Sequence, residues 1–234
     1  MTGAPIPPML DGMDLSDLDR HGAARLPALL TPAQCAAIVA LWDDPAAFRK
    51  EVVMQRHGYG SGCYRYFAYP LPEPVAALRD ALYPALAEVA NRWAAMLGSG
   101  DIYPARHADF LARCALAGQD KPTPLLLRYE AGDWNALHQD VYGPQIFPIQ
   151  AAVLLSEPDS DFTGGAFLLT EQRPRMQSRP EVVPLRHGDA VIFPVRERPV
   201  PGARGAHRVQ MRHGVSRLLS GVRHMLGIIF HDAA

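Results

Sequence analysis

Apolar positions in the first half of the chain recur at helical spacing. Segment 31–42 (TPAQCAAIVALW) opens as a helix: Thr31 can cap it, Pro32 sits in the first turn, and Ile38, Leu41 and Trp42 share a face. From about Pro74 to Met96, Leu78, Leu82, Leu86, Val89 and Trp93 recur every three or four residues and predict a longer helix. Residues 105–117 support a third. Between them, residues 43–72, with Gly58, Gly60, Gly62 and several aromatics, read as loop with short strands. After Pro124 the texture changes to short apolar runs at 125–129, 149–155, 165–170, 190–193 and 225–230. Turn-forming clusters separate these runs: 157–161, Gly164-Gly165, Gly188-Asp189 and Ser220-Gly221. The expected fold class is α+β: a jelly-roll core with N-terminal helices packed on one sheet. Residues 1–24 are expected to be loose, and 25–234 to form a single domain, helical over about 25–120 and jelly roll over about 121–234.

Composition narrows this only a little. Of 234 residues, 48% are hydrophobic and 20% charged, enough to build a packed core. The net charge of −1 excludes a strongly basic nucleic-acid footprint over the whole chain, though a local patch is compatible with it. Cys35, Cys63 and Cys114 are odd in number and widely spaced, which suits a reducing compartment and no disulfide framework. The first ten residues lack the basic and apolar regions of a signal peptide, and no run nears the ~20 apolar residues of a membrane span. A soluble, cytoplasmic protein with no membrane partner is expected.

The candidate chemistry is metal chemistry. Two histidines and a carboxylate can hold Fe(II) on one face and leave positions open for other ligands. A His-x-Asp pair on extended chain suits this, because alternate residues project to one side. Nine histidines and 24 acids in 234 positions give about one such pair by chance, and the chain has three: His107/Asp109, His138/Asp140 and His187/Asp189. The first reads as helical, where residues two apart diverge, and the third as a turn. His138/Asp140 follows the run at 125–129 and Gly132, compatible with extended chain, and is preferred. For the second histidine, His207 and His213 compete, each with an arginine ten residues on (Arg217 and Arg223). A reversal at Ser220-Gly221 would make 211–219 and 223–231 neighbouring antiparallel strands, which favours His213 with Arg223. The metal set is thus His138, Asp140 and His213.

With these residues the chain resembles the 2-oxoglutarate/Fe(II)-dependent dioxygenase superfamily, in its prolyl-4-hydroxylase and AlkB branches. The similarity covers roughly 25–234: 30–38 (LTPAQCAAI), Arg128-Tyr129 with Gly132, His138-x-Asp140, 188–193 (GDAVIF), His213-x-Val215, and Gly221-x-Arg223 with Leu226. Segments 137–143 (LHQDVYG) and 162–179 resemble a bacterial group labelled as oxygenases acting on damaged nucleic acid. The resemblance implies a double-stranded β-helix (cupin-like) core and the cofactors Fe(II), 2-oxoglutarate and O2. It further implies that Arg223 grips the distal carboxylate of 2-oxoglutarate through its bidentate fork, with help from the Tyr129 phenol. AlkB dealkylases carry a second arginine six residues after the first; here that position is Ile229.

Other residues carry weaker expectations. Gln150 shares a strand face with Ala152 and Leu154; if that face is inward it can contact cosubstrate or substrate, and otherwise it is a strand-end polar residue. The polar, basic segment Gln172–Arg179 could grip an anionic or peptide substrate, or be a solvated loop. Trp134, Asn135 and Tyr142 flank the iron motif as candidate mouth residues, while His224 and His231 read as structural. The leading functional expectation is hydroxylation of a protein side chain or other macromolecule. Oxidative dealkylation of nucleic acid, a non-enzymatic cupin-like metal sensor and a zinc hydrolase compete with it, the last having no use for Arg223.

Overall fold

The computed structural model describes residues 13–203 and 205–234. A short helix α1 (Ser16–His21) and strand β1 (Ala24–Leu26) lead into α2 (Pro32–Ala40). Thr31 and Gln34 close a capping box on α2, each side chain serving the other's backbone N–H. Strands β2 (Phe48–Val53), β3 (Gly60–Ser61) and β4 (Cys63–Phe67) follow, then the long helix α3 (Glu73–Leu97) and α4 (His107–Leu116). The remaining strands are β5 (Leu125–Glu130), β6 (Trp134–His138), β7 (Ile149–Leu154), β8 (Phe162–Gly164), β9 (Phe167–Gln172), β10 (Arg179–Val183), β11 (Ala190–Pro194), β12 (Glu197–Gly202), β13 (Gly205–Val215) and β14 (Leu218–Ile229).

Two antiparallel sheets stack face to face. The eight-stranded sheet runs β1-β11-β7-β14-β5-β4-β2, with β8 on β14; the six-stranded sheet runs β10-β9-β13-β6-β3, with β12 on β13. Period-two alternation sorts the large sheet's side chains. Leu126, Ile149, Ala151, Val153, Ile192, Leu226 and Ile228 face outward and pack against Ile38, Leu78, Leu82, Leu86 and Trp93 of the helices. Ala152, Val191, Phe193 and Met225 face inward, against Phe167, Leu169 and Val183 of the small sheet. Each buried Leu, Ile or Phe contributes about 1.5–3 kcal/mol, so the apolar stripe carries α3 through its internal Pro84.

The helices lie on one sheet of a double-stranded β-helix, as the α+β reading expects. Three details differ. The first twelve residues lie outside the described ones, but the segment expected to be loose up to residue 24 contains α1, with Leu18 fully buried and Asp19 accepting hydrogen bonds from Trp93 Nε1 (2.7 Å) and Arg92 (2.6 Å). Within the part given as helical, 25–120, strands β2, β3 and β4 fall in the stretch 43–72 read as loop with short strands, but β1, which pairs with β11 at the edge of the large sheet, carries no signal in local periodicity. Finally, Ser220 and Gly221 do not reverse the chain. The crossing between sheets falls at Ser216-Arg217, and β13 and β14 lie in different sheets. Gly221, at φ +79°, sits inside β14 where an added Cβ would meet the Asp161 carbonyl oxygen at 1.9 Å; only glycine tolerates that approach of β8.

Candidate metal and cosubstrate site

His138 ends β6, and its register partner on β13 is His213, so a strand pair sets the two imidazoles side by side with ring centroids 4.1 Å apart. Asp140 lies two residues beyond β6. One ligand atom from each of the three residues falls within 4.8 Å of the others, the one such group among the described residues. Asp140 Oδ2 is 3.3 Å from His213 Nε2, and Oδ1 is 3.6 Å from His138 Nε2. His138 Nδ1 lies 2.8 Å from the Ala136 carbonyl oxygen; because a carbonyl only accepts, Nδ1 donates there and Nε2 is the nitrogen turned to Asp140. His213 is buried between the rings of Phe193 (4.7 Å) and Phe167 (6.1 Å).

Electrostatics favour the ligand forms. Burial opposes ionisation of Asp140, but His138, His213 and the Tyr142 hydroxyl outweigh it and hold the carboxyl well below the usual carboxylate range. His213 is pushed below its ordinary value, first by burial and then by neighbouring His138, which keeps its imidazole neutral.

The competing residues lie elsewhere. His107 heads α4 and binds Asp80 (3.0 Å) and the Phe230 carbonyl (2.8 Å). Asp189 caps a turn, accepting from the Ala28 (2.8 Å) and Arg186 (2.9 Å) backbones. His207 is exposed on β13, opposite Val200 of β12.

Arg223 and His213 are on strands of opposite sheets, not adjoining strands as the proposed reversal implied. Arg223 pairs in register with Tyr129 on β5. Its guanidinium is 1% exposed, lies 5.6 Å from the Tyr129 ring centroid, donates to Met225 Sδ at 3.2 Å, and leaves Nε and Nη1 unpartnered. Burial pushes Arg223 down to about 10 and the Tyr129 phenol up to about 12. Asn135, a candidate mouth residue, donates to the Tyr129 hydroxyl (3.2 Å), so the phenolic proton is free for another acceptor. Gln150 is buried on the inward face of β7, and its amide nitrogen has no partner.

His138, Asp140, His213, Tyr129, Asn135 and Gln150 line a cleft of about 810 Å³ between the sheets, and Arg223 lies buried behind the lining residues Tyr129 and Met225. The cleft floor includes Tyr129, Gln150, Phe193 and Met225, and its metal end holds His138, Asp140 and His213. The outer walls come from residues with no metal-site signal in the sequence. Tyr64, Tyr66 and Tyr142 form one side, and the stacked His57–Tyr59 pair (5.3 Å) another. Arg49, Lys50 and Lys121 stand at the rim; among the described residues neither lysine has a carboxylate partner. The alternation of glycine and aromatics over 57–66 was the available signal. Trp134 is half-exposed and is not among the cleft walls. The Gln172–Arg179 segment lies off the cleft: Arg173 (2.9 Å) and Arg179 (3.5 Å) are committed to buried Glu171, which also holds Arg198. Ile229 is buried against Val52, Tyr66 and Leu125, an apolar site that an arginine would disrupt.

No helix among the described residues is long and apolar enough to cross a membrane. Residues 62–233 match the sequence model of the Oxygenase-NA family, described as an oxygenase catalysing oxidative methylation of damaged DNA. The Mycobacterium tuberculosis (strain CDC 1551 / Oshkosh) protein MT2286 is 48% identical over 168 residues, covering 72% of each chain. Among solved structures, a Pseudomonas putida prolyl-4-hydroxylase superposes with a TM-score of 0.51 at 14% identity, over 94% of this chain and 97% of that one. An oxidoreductase of the 2OG-Fe(II) oxygenase family from Burkholderia pseudomallei gives 0.53 at 17% identity, over 94% and 90%. At these identities the likeness is one of fold.

Proposed function

Because the chain belongs to the Oxygenase-NA family, we propose that it is an Fe(II)- and 2-oxoglutarate-dependent oxygenase that oxidises a C–H bond on a nucleobase of damaged DNA. The observation that carries the cosubstrate part is Arg223. A guanidinium with two unpartnered nitrogens, 1% exposed, is an expensive thing to bury unless an anion joins it. Tyr129, whose own proton is free and whose ring lies against Arg223, and the unpartnered amide of Gln150 supply further donors on the cleft floor. That donor set fits a dicarboxylate. The His138–Asp140–His213 group fits a divalent metal: two imidazoles and one carboxylate on one side, with the cleft open on the other.

Bound there, Fe(II) and 2-oxoglutarate would supply the oxidising chemistry, O2 and 2-oxoglutarate giving succinate and CO2 with one oxygen atom for the substrate carbon. His138, Asp140 and His213 would hold the metal. Arg223 and Tyr129 would fix the distal carboxylate, and the inward apolar layer of Phe167, Phe193 and Met225 would exclude bulk water. Where the oxidised carbon carries nitrogen, the resulting alcohol breaks down to an aldehyde and a freed amine, which removes the modification from a base.

The rim supports a nucleic-acid substrate over a protein side chain. Lys50 and Lys121 offer uncommitted charge for phosphate, and Tyr64 and Tyr59 offer ring faces for a base. This local patch coexists with a near-neutral chain. Cys35 and Cys114 are buried free thiols, and Cys63 is a half-buried one, in keeping with a reducing cytoplasmic setting. A 2-oxoglutarate turnover screen against alkylated oligonucleotides, matched unmodified oligonucleotides and peptides, read as stimulated succinate release, tests the assignment. Stimulation by alkylated strands alone is expected; stimulation by peptides alone overturns the substrate class.

A further inference from the structure

The two histidines of the metal group are held by a strand pair; Asp140 is not. It sits in the irregular segment between β6 and β7, and something other than ladder hydrogen bonds must fix its carboxylate. On one side Gln139 ties this segment to the small sheet, donating to the carbonyls of Met211 (2.8 Å) and Arg196 (3.0 Å). On the other side stands a chain of phenols. Tyr142 donates to Asp140 Oδ1 at 2.7 Å. A carboxylate accepts only, so the Tyr142 proton is committed to it, and the Tyr142 oxygen in turn accepts from the Tyr66 hydroxyl at 3.1 Å. Tyr66 belongs to β4 in the large sheet, is buried, and meets the Tyr142 ring edge-on (6.2 Å, 89°). These hydroxyls therefore bridge the large sheet to the loop that bears the acid.

We propose that Tyr142, braced by Tyr66, is a positioning pair for the metal carboxylate. It fixes Oδ1 and keeps Oδ2 turned to His213, at 3.3 Å from Nε2. The proposal rests on reading His138, Asp140 and His213 as metal ligands. The placement of the hydroxyls argues for a role beyond packing: the same cluster contains Val52, Leu125 and Ile229, against which Phe in place of Tyr66 would pack as well. Charge-assisted phenol–carboxylate bonds are short and strong, and outer partners of metal ligands typically govern affinity by 10–100-fold.

Mn(II) binding, followed by loss of the free-ion EPR signal, tests this in the whole protein without turnover. Wild type, Tyr142→Phe, Tyr66→Phe and Asp140→Ala are compared, with thermal melts in the absence of metal as the control for folding. Tyr142→Phe should weaken Mn(II) binding by about tenfold or more. Tyr66→Phe should weaken it less, in the same direction, and the visible absorption of the Co(II)-loaded Tyr142→Phe protein should be shifted. Wild-type Mn(II) affinity and an unshifted Co(II) spectrum in Tyr142→Phe would overturn the proposal. Loss confined to Tyr142→Phe would remove Tyr66 from the pair. If Tyr142→Phe does not fold, Tyr66→Phe carries the same test at one remove. Absence of Mn(II) binding by wild type would instead sink the metal reading itself, which Asp140→Ala checks separately.

Discussion

Replacing Arg223 with methionine should make the ligand-free protein more stable while abolishing its response to 2-oxoglutarate. Burial pushes the guanidinium well below its ordinary value, down to about 10. At about 1.4 kcal/mol per pH unit, keeping this group charged at neutral pH costs the fold about 3 kcal/mol. The contacts to Met225 Sδ and to the Tyr129 and Phe162 rings, at 5.6 and 5.8 Å, are already included in the folded state and are only partly retained by the shorter methionine, whose flexible thioether adapts to the gap. The expected net gain is about 1–3 kcal/mol, the range seen when buried charges are replaced by apolar groups. In a domain of this size that corresponds to roughly 2–10 °C in Tm. The assay is a pair of thermal or urea unfolding curves for each protein, with and without 2-oxoglutarate in the presence of Mn(II). Wild type should gain about 2.7 kcal/mol at a hundredfold excess over Kd, and Arg223→Met should gain nothing. Destabilisation of ligand-free Arg223→Met by 2 kcal/mol or more would refute the claim that this cation is uncompensated. A ligand-dependent gain equal to wild type would refute its role in holding the cosubstrate.

Two other consequences follow from the same structure. Lys50→Gln and Lys121→Gln should each raise the KM for a modified oligonucleotide and lower the salt slope of its binding by about 1, measured by fluorescence anisotropy at several salt concentrations; an unchanged slope removes that lysine from the phosphate path. His231 is fully buried, and burial pushes it down to about 4, so the folded state binds its proton less readily than the unfolded chain does near 6.5. Its contribution is complete above about pH 6.5 and is lost as the pH falls toward 4. Urea denaturation of wild type should therefore show about 2 kcal/mol less stability at pH 5 than at pH 7 from this group, and His231→Gln, which keeps an acceptor for the Phe147 N–H, should lose that much less; equal losses in the two proteins would contradict the assignment.

The parts of this molecule that were legible in the sequence are those with a local signature. Thr31 and Pro32 announce the start of α2, and Leu78, Leu82 and Leu86 announce α3, because each depends on neighbours within four residues. The preference for His213 as the partner of His138 rested on a turn that the fold does not contain. The structure brings them together through the β6–β13 register, whereas the reasoning relied on a reversal at Ser220-Gly221 that is in fact a glycine irregularity within β14. Arg223 reaches the site from the opposite sheet. The cleft walls were hidden for a related cause. Tyr64 and Tyr66 come from a strand that reaches the site by pairing with β5, about sixty residues away, and a hydroxyl relay onto Asp140 has no sequence period to betray it. The arginines after β9 looked available because Glu171, which neutralises them, is an inward residue whose burial only the fold reveals.

The most direct test of the account is succinate release from 2-oxoglutarate by the purified protein, with Fe(II) and O2 supplied, in wild type, Asp140→Ala and Arg223→Met. The account predicts metal-dependent succinate in wild type, none above background in Asp140→Ala, and loss in Arg223→Met that shows as a raised KM for 2-oxoglutarate. Full turnover in Asp140→Ala, or an unchanged 2-oxoglutarate KM in Arg223→Met, would contradict it.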